Sequence, residues 1–305
     1  MKKIIFCLIL ALFLTSCGLV SPKKEEIKVP DVHEGKKGIV LSFLPNAPPA
    51  EIYEERRFEI LIDVQNKGAV DIKNGMLVLG VEDQQVSLDS EKDARFDLDG
   101  KSIFNPEGSK TIKEFQAETK LLIAGIEAYD TAITATACYP YKTEATALMC
   151  IDTDLSGRIK TKPCKTQTVS LSGGQGAPIA ITSVGPKMMI HQEAEKIQPE
   201  FLIKIHNVGT GQALLRDKVH EACSGKPLGP EIWNRLRVSA MLSDMPLKCR
   251  PEIVRLTEDT TVICTLEEGI DRTQGTYLAP LSFEVDYGYL DRVVKKINIK
   301  KLSIK

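Results

Sequence analysis

The chain has 305 residues, 43% of them hydrophobic and 27% charged, with 40 basic residues against 41 acidic. That leaves room for about two ordinary domains once a targeting segment is set aside, with enough apolar material for packed cores. A formal charge of −1 excludes nucleic-acid binding driven by net positive charge, so no nucleic-acid partner is expected.

Met1-Lys2-Lys3 supplies a positive start, Ile4 to Leu14 is unbroken and apolar, and small residues follow at once, so residues 1–16 read as a signal peptide. The run is shorter than the roughly 20 apolar residues of a bilayer-spanning helix. Leu14-Thr15-Ser16-Cys17 resembles the lipobox of prokaryotic lipoproteins, which implies Cys17 as a lipid attachment site and membrane lipid as a partner. The plainer alternative is an ordinary signal with a chance cysteine. Residues 17–37 carry Pro22, Pro30 and Lys23-Lys24-Glu25-Glu26 without an apolar period, and read as a tether.

Beyond the tether the chain repeats itself. Ile60-Leu-Ile-Asp-Val-Gln-Asn66-Lys-Gly68 matches Phe201-Leu-Ile-Lys-Ile-His-Asn207-Val-Gly209 at an offset of 141, with apolar residues alternating as in a half-buried strand. Tyr129, Tyr139 and Tyr141 match Tyr277, Tyr287 and Tyr289 at an offset of 148. Each trio spans a strand, a short polar turn (Lys142-Thr143-Glu144 or Leu290-Asp291-Arg292) and a return strand, which predicts a terminal hairpin in each copy. Tyr129 and Tyr277 suit either a tyrosine corner or a half-exposed strand position.

Six or seven short strands per copy, with no long helical period, predict an all-β chain of two tandem immunoglobulin-like antiparallel β-sandwich domains. The first spans residues 38–170 and the second 178–305, separated by a glycine-rich hinge at 171–177. A strand running into Asn-x-Gly resembles the tandem immunoglobulin-like modules of prokaryotic surface proteins, including the adhesion-type modules called CARDB. Cys138-x-Tyr-x-Tyr-x-Thr143 and Gly174-Gln-Gly-Ala-Pro178 are also similar to stretches of archaeal surface proteins. The resemblance implies a cell-surface address and supplies no activity.

Six cysteines follow Cys17: Cys138, Cys150 and Cys164 in the first copy, Cys223, Cys249 and Cys264 in the second. In an exported chain they point to disulfides. With three per copy, either each copy keeps a free thiol or one bridge crosses the hinge. Cys249–Cys264 is a plausible pair flanking a hairpin-like stretch. Cys150 can meet Cys138 or Cys164, and disulfide geometry slightly favours Cys164.

Chemistry-bearing motifs are sparse. Asp152-Thr-Asp154-Leu-Ser156-Gly157 resembles the start of an EF-hand loop, which implies calcium, but Pro163 stands where the closing glutamate belongs. The alternative is a plain polar loop, and no other cofactor is indicated. Asp89 to Asp99 reads as a solvated acidic loop. An insertion of copy two after Gly209 carries Trp233, either a binding-loop residue or a local core plug. Lys295, Lys296, Lys300, Lys301 and Lys305 read as protection of an edge strand, or as a contact for anionic lipid or envelope polymer.

No histidine stands in a nucleophile or acid–base motif, so no enzyme is expected. The reading that follows is a non-catalytic, lipid-anchored extracytoplasmic protein for adhesion, binding or structural support, with an envelope protein or polymer as partner. The second reading is an accessory or assembly subunit of an envelope complex, such as a surface filament or secretion apparatus.

Overall fold

Two strands of 25 residues each, Ala128–Asp152 and Thr276–Lys300, organise the chain. They pair antiparallel at every position from Ala128↔Lys300 to Asp152↔Thr276. The terminal hairpins expected at Lys142–Glu144 and Leu290–Arg292 are therefore absent. Neither stretch offers the Asn-Gly or Asp-Gly pair of a tight hairpin. The period of two runs straight through instead, and Tyr139, Tyr141, Thr143, Ala147 and Met149 are all buried.

The computed structural model describes residues 31–89 and 91–302; the expected signal peptide, Cys17 and most of the expected tether lie outside the described residues. The strands in chain order are Ile39–Phe43 (β1), Glu51–Tyr53 (β2), Arg57–Asn66 (β3), Ile72–Gly80 (β4), Val86–Leu88 (β5), Asp93–Leu98 (β6), Lys110–Thr119 (β7) and Ala128–Asp152 (β8). Then come Val169–Ser170 (β9), Ile179–Ile190 (β10), Lys196–Asn207 (β11), Gln212–Leu214 (β12) and a short helix, Val219–Cys223 (α1). Arg235–Leu242 (β13), Met245–Arg250 (β14), Ile253–Arg255 (β15), Thr260–Thr265 (β16), Ile270–Asp271 (β17) and Thr276–Lys300 (β18) complete the chain.

The fold is all-β. β6-β4-β8-β18-β13 form a central layer. One outer sheet is β1-β3-β7-β5, and a second runs β9-β10-β11-β16-β14. β14 pairs with both β13 and β16, so the ladder turns from the central layer into the second outer sheet. Ile60, Ile62 and Phe115 of the first outer sheet, Phe201, Ile203 and Val262 of the second, and Ile133, Met149, Leu281 and Ile299 of the long strands belong to one continuous core. The repeat is thus real, but the two copies share a layer. The described residues from Asp31 onward cluster as one compact unit, without a division at 171–177.

The expected hinge is itself packed. Gln175 and Ala177 are buried, and the Gln175 side chain bonds both the amide and the carbonyl of Ile181. The Gly176 carbonyl accepts from Ala69 N, and the end of the tether is bound here too, through Gly35 N to Gly173 O. The acidic stretch expected as a loop contains β6, whose Phe96 and Leu98 are buried while its acidic residues face outward. β8 pairs with β18 along its whole length, while β13, β12 and β2 cover the other side of β18 at Leu281–Asp286, Gly288–Leu290 and Asn298–Lys300, so Lys295 and Lys296 stand on a stretch without a second strand partner among the described residues.

The offset of 148 maps the β8–β18 ladder onto itself. Tyr139 faces Tyr289 and Tyr141 faces Tyr287, around the pair Pro140↔Gly288, which differ by the same 148. A pseudo-two-fold axis therefore passes through Pro140 and Gly288. The four tyrosines are buried around it, with neighbouring ring centroids 5.7–6.1 Å apart in tilted and edge-on pairs.

Their hydroxyls bind the outer sheets and the loops that follow them. Tyr139 accepts from Ile39 N (3.0 Å), and Tyr287 from Ile179 N (3.4 Å). Tyr141 accepts from Val70 N (3.3 Å) and donates to Gly176 O (3.0 Å); Tyr289 accepts from Gly211 N (3.0 Å) and donates to Asn207 Oδ1 (2.9 Å). The Asn-x-Gly motif explains itself here. Asn66 and Asn207 each cap the turn by accepting from the amide of Gly68 or Gly209. A Cβ at Gly68 would stand 1.8 Å from the Tyr141 hydroxyl, and one at Gly209 2.5 Å from that of Tyr289. Tyr129 and Tyr277 do not play this part: Tyr129 donates to the Glu82 carboxylate (2.8 Å), and Tyr277 packs half-buried against the core.

Tyr141→Phe leaves the ring in place and strands buried backbone groups. It should lower the unfolding free energy by about 1–3 kcal/mol in urea titrations of the oxidised protein. A loss below about 0.5 kcal/mol would show that the hydroxyl does not hold the outer layer.

Candidate functional site

Beside the tyrosines the pseudo-symmetry breaks in the charge of one partner. The Tyr287 hydroxyl lies 3.0 Å from Thr143 Oγ1, while the Tyr139 hydroxyl donates to Asp291 Oδ2 at 2.6 Å. Thr143 and Asp291 differ by 148, so they are repeat equivalents. Where copy one carries a neutral hydroxyl, copy two carries a carboxyl in a largely dry site. Burial pushes the Asp291 carboxyl up to about 6, opposed by the Tyr139 hydrogen bond. Burial also raises all four tyrosines, Tyr139 and Tyr287 most strongly.

The six cysteines after Cys17 form three bridges. Cys150–Cys164 and Cys249–Cys264 close short loops, with separations of 14 and 15 residues, and Cys249 and Cys264 are direct partners across β14 and β16. Cys138–Cys223, separated by 85 residues, joins the two copies and settles the alternative left by three cysteines in each. Cys138 points to the back of the central layer, the side away from the tyrosines. There the insertion of copy two folds over it: α1, Leu214 and the half-buried Trp233 pack with Met76 and Cys138 in a small second core. Gly288 admits this cover, because a Cβ there would meet the Val219 side chain at 2.8 Å. Trp233 thus sits as a plug against the sheet, bridged to Leu214.

The Asp152 loop carries its own cation. Lys162 Nζ lies 2.6 Å from Asp152 Oδ2 and 3.5 Å from Asp154 Oδ2. Asp154 also accepts from Ile159 N (2.8 Å) and from Ser156 Oγ (2.9 Å), and Asp152 accepts from Thr276 Oγ1 (2.9 Å). The Ile159 amide is the main influence holding the Asp154 carboxyl below its ordinary range. At Asp152 desolvation pushes the carboxyl up, and the Lys162 and Thr276 bonds outweigh it. The ammonium of Lys162 takes the place between the two carboxylates that the sequence pattern assigned to calcium. Among the described residues no group of three or more acidic, histidine or cysteine side chains is arranged to hold a metal.

A trough of about 780 Å³ crosses the central layer where β13, β18 and β8 run side by side. Thr146, Ser239 and Ser282 offer hydroxyls in it, and Glu144 and Glu284 flank Lys142, 3.2 Å from Glu284. Such a surface is equipped to hydrogen-bond a polar chain. No histidine ring bonds a serine hydroxyl or a thiol among the described residues: His191 bonds Glu267 O and accepts from Glu193 N, and the buried Nδ1 of His220 has no partner. The Asp291–Tyr139 pair and the Lys162 clamp were invisible in the sequence. The two offsets, 141 and 148, were the available signal that the Asn-x-Gly turns and the tyrosines belong to one network.

No protein-family model matches the chain, and no curated protein matches it. Among solved structures it is similar, at a TM-score of 0.19 and 10% identity, to the secreted serine protease VesC from Vibrio cholerae, over 86% of this chain and 52% of that one. It is similar, at a TM-score of 0.17 and 9% identity, to the CupB6 tip adhesin from Pseudomonas aeruginosa, over 88% of this chain and 97% of that one. The chain spans about half the length of the protease, and likeness at this level carries no argument about fold or activity.

Two outcomes follow. Because the native carboxyl of Asp291 binds its proton more tightly than an unfolded one, stability falls as pH rises from about 4 to about 6 and stays lower above that. Asp291→Asn keeps an acceptor for Tyr139, and should be more stable than wild type by about 2–3 kcal/mol at pH 7.5 and nearly equal to it at pH 4. Urea titrations at the two values check this, and a pH-independent difference would refute it. Replacing Cys138 and Cys223 together by serine should lower the unfolding free energy by about 2–5 kcal/mol and make residues 215–234 the first site of limited proteolysis. Cleavage elsewhere first would mean that the bridge does not hold the insertion down.

Proposed function

We propose that the protein is a non-catalytic component of the cell envelope, anchored through lipid on Cys17, whose fused β-layers serve adhesion, binding or structural support outside the cytoplasmic membrane. The observation that carries this reading is the pairing of all six cysteines after Cys17, one bridge joining the two copies. Disulfides of this density belong to oxidising compartments. Among the described residues no helix is long and apolar enough to cross a membrane, and Leu14-Thr15-Ser16-Cys17 supplies another means of attachment. Each half sets two β-sheets face to face, which supports reading the copies as immunoglobulin-like modules fused through their central layer.

A second reading, an assembly subunit of an envelope complex, is favoured by one feature. Residues 139–152 of β8 pair with β18, and β4 reaches only as far as Cys138, which leaves the other edge of this stretch without a strand partner among the described residues. Leu148 is exposed there. Such an edge suits docking by strand addition.

Mass spectrometry of protein purified from membranes tests the first reading. A mature chain beginning at acylated Cys17, with linked Cys138–Cys223 peptides, is expected; an unmodified chain with free thiols would refute it. A stoichiometric co-purifying partner, lost on Leu148→Lys, would select the second.

A further inference from the structure

The loop between β6 and β7 closes on itself. Ser102 and Asn105 exchange backbone hydrogen bonds in both directions (3.0 and 3.1 Å), and Ser102 Oγ accepts from Asn105 N (3.0 Å). The base is held by Lys101 N to Gly68 O (2.8 Å) and by Ser109 N to Asp99 O (3.1 Å). This leaves Ile103 and Phe104 at the tip, 57% and 93% exposed. Single exposed apolar residues are ordinary on protein surfaces. Two adjacent ones, held outward at the tip of a hydrogen-bonded turn, have lost the chance to fold back onto the core.

Their surroundings are basic. Lys36, Lys37, Lys67 and Lys101 line a concavity of about 520 Å³ beside the turn, and Glu107 is the one carboxylate among its lining residues, 3.8 Å from Lys67. The Lys101 ammonium is held against the carbonyl of Glu34. Two of these lysines belong to the segment by which the chain enters the fold. Asp31 follows Cys17 by fourteen positions in the sequence, a stretch that spans at most about 50 Å when extended. A bilayer holding Cys17 is therefore within reach of this end of the molecule.

We propose that residues 102–105 and the four surrounding lysines form a membrane-contact site, in which Ile103 and Phe104 enter the headgroup–acyl boundary of an anionic bilayer while the ammonium groups meet lipid phosphates. The identity of that bilayer rests on the lipid-anchor reading; the chemistry of the contact does not. An apolar tip flanked by cations matches an anionic interface in both terms, since apolar burial and attraction to negative headgroups act together there. The lipid on Cys17 and the loop would then be two attachments of one molecule, and the second would set its orientation, because a flexible tether alone fixes none.

The test uses the mature chain, residues 17–305, carrying Cys17→Ser, so that no acyl chain contributes. It is sedimented with vesicles of phosphatidylcholine alone or mixed equally with phosphatidylglycerol. Binding to the anionic vesicles only is expected, weakened roughly tenfold or more by the double substitution Ile103→Ser and Phe104→Ser, and by Lys36→Glu with Lys37→Glu. All four positions are exposed, so urea unfolding and the disulfide map should match wild type. Absence of binding to anionic vesicles, or binding that the loop variant leaves unchanged, overturns the proposal. So does competition by inorganic phosphate at matched ionic strength, which would assign the lysines to a free anion. Failure here with acylated Cys17 found by mass spectrometry leaves the anchor intact, and vesicle binding without acylation leaves the contact site intact.

Discussion

The β8–β18 ladder is the constraint on which the remaining structure depends. Twenty-five consecutive pairs make each copy's last strand the neighbour of the other's, so neither copy can complete its central layer alone. Natural strands average about five or six residues, and the four tyrosines tie the middle of this much longer ladder to the layer above. Their hydroxyls reach across to Ile39, Val70, Ile179 and Gly211, the amides at or near the ends of the outer strands, and satisfy groups that burial would otherwise leave unpaired.

A duplicated fold around a pseudo-two-fold axis offers equivalent sites, and the chain uses them unequally. Thr143 completes its tyrosine with a hydroxyl that is neutral at every physiological pH. Asp291 completes the other with a group that must be either desolvated as an anion or protonated. The insertion after Gly209 is a second inequality, for only copy two lays a helix over the back of the central layer. Cys138–Cys223 then turns that cover into a covalent link between the copies. Stability and asymmetry therefore enter at the same seam.

Three surfaces are left for partners. The trough across the central layer offers hydroxyls and carboxylates, the far half of β8 offers an open edge, and the turn at Ile103 and Phe104 offers an apolar tip among lysines. None of these requires the core to move. A fold bridged by three disulfides is suited to holding such surfaces at fixed separations.

Much was legible in the sequence because it is local or periodic. Alternation marked the strands around Ile60 and Phe201, the offsets of 141 and 148 revealed the duplication, and the spacing of Cys249 and Cys264 suggested a pair. What stayed hidden depends on where distant segments meet. Lys142-Thr143-Glu144 looks like a turn when read alone and is mid-strand because β18 pairs through it. Asp93–Leu98 looks like a solvated loop because its acidic outer face masks Phe96 and Leu98. The Asp152 pattern implies calcium, whereas Lys162 folds back between its carboxylates. The amino-acid sequence by itself determined an all-β, duplicated chain whose cysteines pair. Only the tertiary structure decided that the copies share one layer and that Cys138 meets Cys223, because register across 148 residues is set by packing and not by any local preference.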